Sequence, residues 1–354
     1  MWAAIVRPIL FLFDAERVHY FSMGVFAFFL RFAWARRALR KFTLGDDPRL
    51  KTQLLDMELP SPVGLAAGFD KNARWYNELG ALGFGFVEVG TLTAHAQPGN
   101  ELPRLFRLPA DKAVLNRFGF NNEGAEAAAE RIQKTPPECV LGVNIGKSKV
   151  APNEAANEDY LQSLRAVHGV AEYLVVNVSS PNTAGLRDLQ AEEPLRLLLG
   201  ALVEENRALA ERAGIRRPPL FVKLAPDMDD AQLSASVALV RELGVDGIVC
   251  TNTTISREGL ITPPTKVEAL GAGGVSGAPL TARSLSFVRR TCELAGGDFP
   301  VIGVGGIMTP ADALRMLEAG ASAVQLYTGF IYGGPWIVRR MNKAILAQRA
   351  QKGA

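Results

Sequence analysis

Eight short apolar runs, each separated from the next by a longer amphipathic stretch, constrain what this chain can become more than any other feature. They fall at 64–67, 86–89, 141–144, 173–177, 220–224, 247–250, 301–304 and 323–326. Several are rich in Val and Ile and show no polar alternation, as strands buried on both faces do not. Strand alternating with helix is the pattern of parallel strands joined by crossovers, and eight such units predict a closed (β/α)8 barrel of the TIM type. A doubly wound sheet is the competing topology. The residues just after each run favour the barrel. Residues 66–71 (AAGFDK) end the first run, Gly90 and Thr91 the second, Asn144 the third, 177–180 (NVSS) the fourth, and Lys223 lies at the end of the fifth. The last three are followed by 250–253 (CTNT), 303–306 (GVGG) and 327–329 (YTG). In a barrel these tips converge on one mouth, where barrel enzymes carry out their chemistry.

Residues 1–42 are unlike the rest. They hold eight of the chain's eighteen Phe together with a cluster of Arg, and they form a separate helical extension ahead of a catalytic unit at 43–350. Asp14 is placed to cap a helix, and Arg36, Arg37, Arg40 and Lys41 gather at the far end. The pattern predicts a short helix, a break and a second helix. The apolar stretch 20–30 stops at Arg31; its length is too small to cross a bilayer, which takes roughly twenty residues, and no signal-peptide cleavage site follows. Aromatics beside arginines suit a helix pair lying at headgroup depth, the basic end meeting anionic lipid. The alternative is a hairpin packed wholly against the barrel. Residues 43–56 read as a polar joint.

Composition narrows the chemistry. The 48% hydrophobic content supports a large core, and a net charge of +3 without dense Lys/Arg clusters excludes a nucleic-acid surface. Cys139, Cys250 and Cys292 are far apart, so neither a metal site nor a disulfide framework is expected. His19, His95 and His168 form no triad or metal-binding pair. Gly305 and Gly306 after the seventh run, with 327–329 after the eighth, match the barrel phosphate site, in which backbone N–H groups hold the anion; 274–277 could close it from the side. Tight turns explain each glycine pair equally well. Lys223 on a buried strand needs an anionic partner: either a flavin's N1–C2=O2 edge or a barrel carboxylate.

The segments AAGFDK (66–71), NRFGFNN (116–122), NVSSPNTAGLR (177–187), VKLAPD (222–227), TNTT (251–254), GGVSG (273–277), VIGVGGI (301–307) and QLYTGF (325–330) together resemble the dihydroorotate dehydrogenase family. Ser180 in the loop motif, with the N-terminal extension, resembles its quinone-reducing, membrane-associated class. The resemblance implies FMN held by Ala67, Gly68, Lys71, Thr91, Asn144, Asn177, Lys223, Thr251, Gly277, Gly306, Tyr327 and Thr328. It implies dihydroorotate, or its product orotate, held by Lys71, Asn116, Asn177, Asn182, Asn252 and Thr253, with Arg117, Phe118, Gly119 and Phe120 alongside. It further implies a base at Ser180, a proton relay through Thr183 beside Phe120, and a membrane quinone met by His19, Arg107 and Tyr327. No metal enters, and the chain is expected as a peripheral protein on the cytoplasmic face of the membrane. Two rivals share such a mouth: an FMN barrel acting on another pyrimidine or a soluble acceptor, and a non-redox phosphate-binding barrel.

The imide ring of dihydroorotate presents N–H donors and C=O acceptors around its edge, and asparagine amides match both. Pro181 and Gly185 suit a loop able to close over the site.

Overall fold

The computed structural model describes residues 2–352. A π-helical turn, Trp2–Val6, runs into α1 (Arg7–Phe11), followed by α2 (Ala15–Phe29) and α3 (Ala33–Thr43). Asp14 caps α2, its side chain accepting from Arg17 N at 2.9 Å. The extension thus has three helical segments rather than two, and α3 turns 106° away from α2. No single described helix is long and apolar enough to cross a membrane.

Thirteen strands follow among the described residues: β1 (Thr52–Leu54), β2 (Met57–Leu59), β3 (Val63–Leu65), β4 (Phe86–Leu92), β5 (Leu105–Leu108), β6 (Ala113–Asn116), β7 (Val140–Ile145), β8 (Tyr173–Asn177), β9 (Leu220–Leu224), β10 (Gly247–Cys250), β11 (Gly274–Gly277), β12 (Val301–Val304) and β13 (Ala323–Leu326). Eight of them close a parallel barrel in the order β3, β4, β7, β8, β9, β10, β12, β13. These are the eight runs expected from the sequence. Crossover helices surround them: α4 (Tyr76–Gly80), α5 (Ala125–Lys134), α6 (Ala156–Val167), α7 (Glu192–Ala213), α8 (Asp230–Glu242), α9 (Pro264–Ala269), α10 (Thr281–Ala295), α11 (Pro310–Glu318), α12 (Thr328–Gly333) and α13 (Ile337–Lys352).

The barrel interior is layered. At its base Phe86, Tyr173 and Phe221 pack ring to ring, with centroids 6.2 and 5.7 Å apart, and each ring lies over a glycine of the neighbouring strand. A Cβ at Gly64, Gly142 or Gly247 would come within 2.4 Å of one of these rings, so the small residues are what admit the large ones. The hairpin β1–β2 seals this end by burying Leu54, Met57 and Leu59 against the same cluster. The end of the segment read as a polar joint therefore forms part of a plug: β1 within it buries Leu54, and β2 just beyond it buries Met57 and Leu59 at alternate strand positions.

Above the aromatic layer lies a polar one. The fully buried Glu88 accepts from Asn144 Nδ2 at 2.8 Å and Gln325 Nε2 at 2.6 Å, with the Tyr173 hydroxyl at 3.3 Å. The next layer up is the mouth, where Asn177 on β8 stands in register with Lys223 on β9. Beside the mouth β5, β6 and β11 form a three-stranded antiparallel sheet that the sequence reading missed; it brings 274–277 next to Asn116.

Candidate active site

The strand tips line a cavity open to solvent. Gly68 and Lys71 reach it from the turn after β3, Thr91 from β4, Asn177 and Ser180 from β8, and Lys223 from β9. Thr251, Asn252 and Thr253 follow β10, Gly306 follows β12, and Tyr327 and Thr328 follow β13. Ala67, Gly277, Asn116, Phe118, Gly119, Phe120 and Asn182 complete the expected set on its wall.

Three expected residues stand behind that wall. Asn144 is buried one layer down, accepting from Thr91 Oγ1 at 2.5 Å and from Asn177 Nδ2 at 3.1 Å, so it orients the amide above it. The Arg117 side chain turns outward to the carbonyls of Leu270, Ala272 and Pro103, leaving only its backbone on the substrate loop. The Thr183 hydroxyl is buried without a hydrogen-bond partner, and no bond joins it to Ser180 among the described residues.

The amides interlock. Asn177 Nδ2 donates to Thr91 Oγ1 at 2.9 Å, Asn252 Nδ2 donates to Ser179 Oγ at 2.9 Å, and Asn182 Nδ2 donates to Asn116 Oδ1 at 3.2 Å. Such a network fixes rotamers before a ligand arrives, which lowers the cost of ordering them on binding. Ser180 is buried, and its Oγ accepts from Asn182 N at 3.2 Å.

Two lysines supply positive charge. Lys223 is 5% exposed and makes no ion pair within 4.0 Å among the described residues. Burial pulls its pKa down, with Glu88 the main opposing influence from the layer below. The barrel-carboxylate alternative therefore falls short of contact. Lys71 lies with Nζ 3.8 Å from the centroid of the Phe118 ring. Burial brings its pKa down to about 8, offset in part by Glu16.

The same cavity carries a glycine cradle. Gly277 and Gly306 have φ of +104° and +68°, and a Cβ on them would lie 2.4 Å from Lys112 O and 2.2 Å from Thr281 Cα. Thr328 and Gly329 open α12, so their N–H groups have no carbonyl a turn earlier. The cradle is backbone built for close approach of an anion.

A second, mostly apolar cavity, open to solvent, lies between α1, α2 and the barrel. Phe11, Met23, Phe26, Phe69 and Phe330 line it, with His19 and Arg107 as polar points. It shares Lys71, Phe118 and Tyr327 with the first cavity. His19 packs edge-on to Phe69, with centroids 4.7 Å apart; burial, reinforced by Lys71, lowers its pKa to about 3. Arg107 donates to Phe13 O at 2.7 Å and lies over the Phe11 ring.

Sequence reasoning missed Arg187. Its guanidinium donates to Ser179 O at 3.0 Å, Thr253 O at 3.1 Å and Asp227 Oδ2 at 2.9 Å, tying the Ser180 loop to the loop after β10. It sits in the segment 177–187 and its type alone could have marked it, since arginine's fork suits several fixed acceptors. Among the described residues no group of three or more His, Cys, Asp or Glu is arranged to hold a metal ion.

Fold and mouth together define a (β/α)8 barrel whose asparagine-lined mouth holds a glycine cradle and two buried lysines. The comparisons narrow it: residues 49–348 match the family model for dihydroorotate dehydrogenase, and the chain belongs to that family. It is 48% identical to the dihydroorotate dehydrogenase (quinone) of Christiangramia forsetii over 98% of this chain and 99% of that one. It is 49% identical to the enzyme of the same name from Thermobifida fusca, over 96% and 90%. The crystal structure of DHODH from Eimeria tenella in complex with ferulenol superposes with a TM-score of 0.85 at 38% identity, covering 96% of this chain and 93% of that one. The ligand-free form of the Eimeria enzyme gives 0.80 at 42% identity, over 87% and 89%.

Proposed function

We propose that this chain oxidises dihydroorotate to orotate in pyrimidine biosynthesis, using bound FMN and passing the electrons to a membrane quinone. The observation that carries the cofactor is Lys223, a buried ammonium without an ionic partner among the described residues, on the wall of a cavity that also holds a glycine cradle. The residues fit FMN. Gly277, Gly306 and Thr328 would hold its phosphate; Lys223 and Lys71 would meet the anionic edge of its ring; Ala67, Gly68, Thr91, Asn144, Asn177, Thr251 and Tyr327 would complete its surroundings. When bound, FMN supplies a hydride acceptor for C6 of the substrate and a conduit to the quinone.

The chain's own residues do the rest. Asn116, Asn177, Asn182 and Asn252 pair with the imide and carboxylate edge of the substrate, with Thr253 beside them and Lys71 supplying charge. Ser180 takes the C5 proton. A hydroxyl does this only if its own proton leaves in concert, and Thr183, whose Oγ1 is buried without a partner, is the relay beside Phe120. Closure of the 177–187 loop excludes water.

Residues 1–42 form the quinone-access unit and 43–350 the catalytic barrel. Phe21, Phe28, Phe29 and Trp34 are exposed at 60–70%, an apolar patch on α2 and α3 that suits insertion at the membrane interface of the cytoplasmic face. The basic end is only partly available to lipid, since Arg36 pairs with Glu138 at 2.6 Å and Arg40 donates to Gly80 O at 3.0 Å; Arg37 and Lys41 remain exposed. Quinone enters by the apolar cavity, with His19, Arg107 and Tyr327 as its polar contacts.

Anaerobic mixing of the purified protein with dihydroorotate, then with quinone, tests the reading. Flavin absorbance should bleach and then recover. A flavin that stays oxidised rejects the substrate, and a protein that binds no flavin rejects the cofactor.

A further inference from the structure

Glu16 and Arg104 are each 9% exposed and 88 residues apart in sequence, yet form a two-pronged ion pair at 2.8 and 3.0 Å. Glu16 lies on α2, one turn before His19, and lines the apolar cavity. Arg104 Nη1 donates to Pro98 O at 2.6 Å and Asn100 O at 2.9 Å. Asn100 in turn spends its side-chain amide on two loops. Nδ2 donates to Arg117 O at 3.0 Å on the substrate loop and to Asn182 O at 3.2 Å on the loop bearing Ser180. Its backbone N–H donates to Phe118 O at 2.9 Å. The contact is close enough to require glycine opposite: a Cβ on Gly119 would lie 2.7 Å from Asn100 Cγ.

The geometry points to Asn100 as a positioning residue that latches the Ser180 loop to the 116–120 loop, with the Glu16–Arg104 pair holding the latch from the N-terminal extension. Helix α2, on the quinone side, thereby sets how tightly the barrel mouth closes on its substrate. A carboxylate pairing with a buried guanidinium is strong and directional, so it fixes the 98–100 carbonyls in a way a neutral partner does not. The latch rests on the proposed reading in which Ser180 and Asn182 form the substrate-side loop.

The experiment is titration of the FMN-loaded full chain with orotate, followed by flavin absorbance, for wild type, Glu16→Gln, Asn100→Asp and the double variant. Asn100→Asp keeps the shape and removes both donors. Each single variant should weaken orotate binding about tenfold or more: Asn100→Asp loses both hydrogen bonds across the latch, and Glu16→Gln loses the charge that holds Arg104 against it. The double variant should be no weaker than the worse single one, because both act on one latch. The dihydroorotate concentration for half-maximal bleaching should rise in step while the limiting bleaching rate stays within about twofold, a split that general loosening of the fold does not produce. Orotate affinity within twofold of wild type in Asn100→Asp overturns the latch, as does strict additivity in the double variant. If Glu16→Gln does not fold, Asn100→Asp alone decides. Should wild type itself fail to bind orotate, the substrate assignment fails instead.

Discussion

Replacing Lys223 by Met should make the flavin-free barrel more stable while nearly abolishing its hold on the cofactor. The ammonium is 5% exposed, on a central strand, with Glu88 acting on it across more than ion-pair distance. Replacing buried charge with an apolar side chain of similar length is commonly neutral to stabilising by about 1 to 4 kcal/mol. For a chain of this size each kcal/mol moves the unfolding midpoint by about 2 °C. The pH dependence is signed. The folded pKa of Lys223 lies below its unfolded value, so the penalty on wild type is full below the folded pKa and fades as pH rises toward 10.5. The variant's advantage should therefore be widest near pH 7 and shrink in alkali. Thermal unfolding of FMN-stripped wild type and Lys223→Met across pH 6–10, repeated with FMN added, reads both effects. A flavin-free variant less stable than wild type at pH 7 would mean that the ammonium has a stabilising protein partner, and an unchanged gain on adding FMN would remove Lys223 from the cofactor site.

Other perturbations separate the remaining roles. Ser180→Ala should retain FMN and bind orotate within a few-fold of wild type, while flavin bleaching by dihydroorotate slows by about 10²- to 10⁴-fold, the usual range for a positioned base; undiminished bleaching would exclude Ser180. His19 is neutral in the fold because its pKa falls to about 3, so wild type should lose stability as pH drops from 6.5 toward 3, by at most about 1.4 kcal/mol per pH unit. His19→Gln should flatten that slope in acid unfolding, and an unaltered slope would assign it to other groups. Trp34→Ser and Phe29→Ser, at positions 70% and 69% exposed, should leave the unfolding midpoint unchanged but weaken sedimentation with anionic vesicles at least about tenfold; equal binding would place the membrane contact elsewhere.

The barrel strands were legible because burial on both faces leaves an uninterrupted apolar run, and five of the eight, among them Tyr173–Asn177 and Leu220–Leu224, fall on the expected residues. β5 and β6 were not, since LFRL and AVLN are too short to show alternation, and β11, which pairs with β6, lies 158 residues further on from Asn116. The plug β1–β2 was hidden by charged neighbours that face solvent. At the site, residues on strand tips could be anticipated because topology brings tips together. Glu16, Asn100 and Arg104 could not, because Glu16 pairs with Arg104, 88 residues away, and Asn100 donates to Asn182 O, 82 residues away; Arg187 could have been marked only by its type and its place in the 177–187 segment. Thr183 lies outside the cavity wall for a related reason: sequence proximity to Ser180 says nothing about which side of the loop a hydroxyl faces.

The wall shared by the two cavities has a kinetic consequence. Lys71, Phe118 and Tyr327 line both the chamber of asparagines and the apolar one, while the aromatic layer and the β1–β2 plug shut the opposite end of the barrel. On the proposed reading each reactant has its own doorway and leaves by the way it came. Orotate should compete with dihydroorotate but not with quinone, and a hydrophobic molecule lodged beside His19 should block reoxidation without displacing anything from the asparagines.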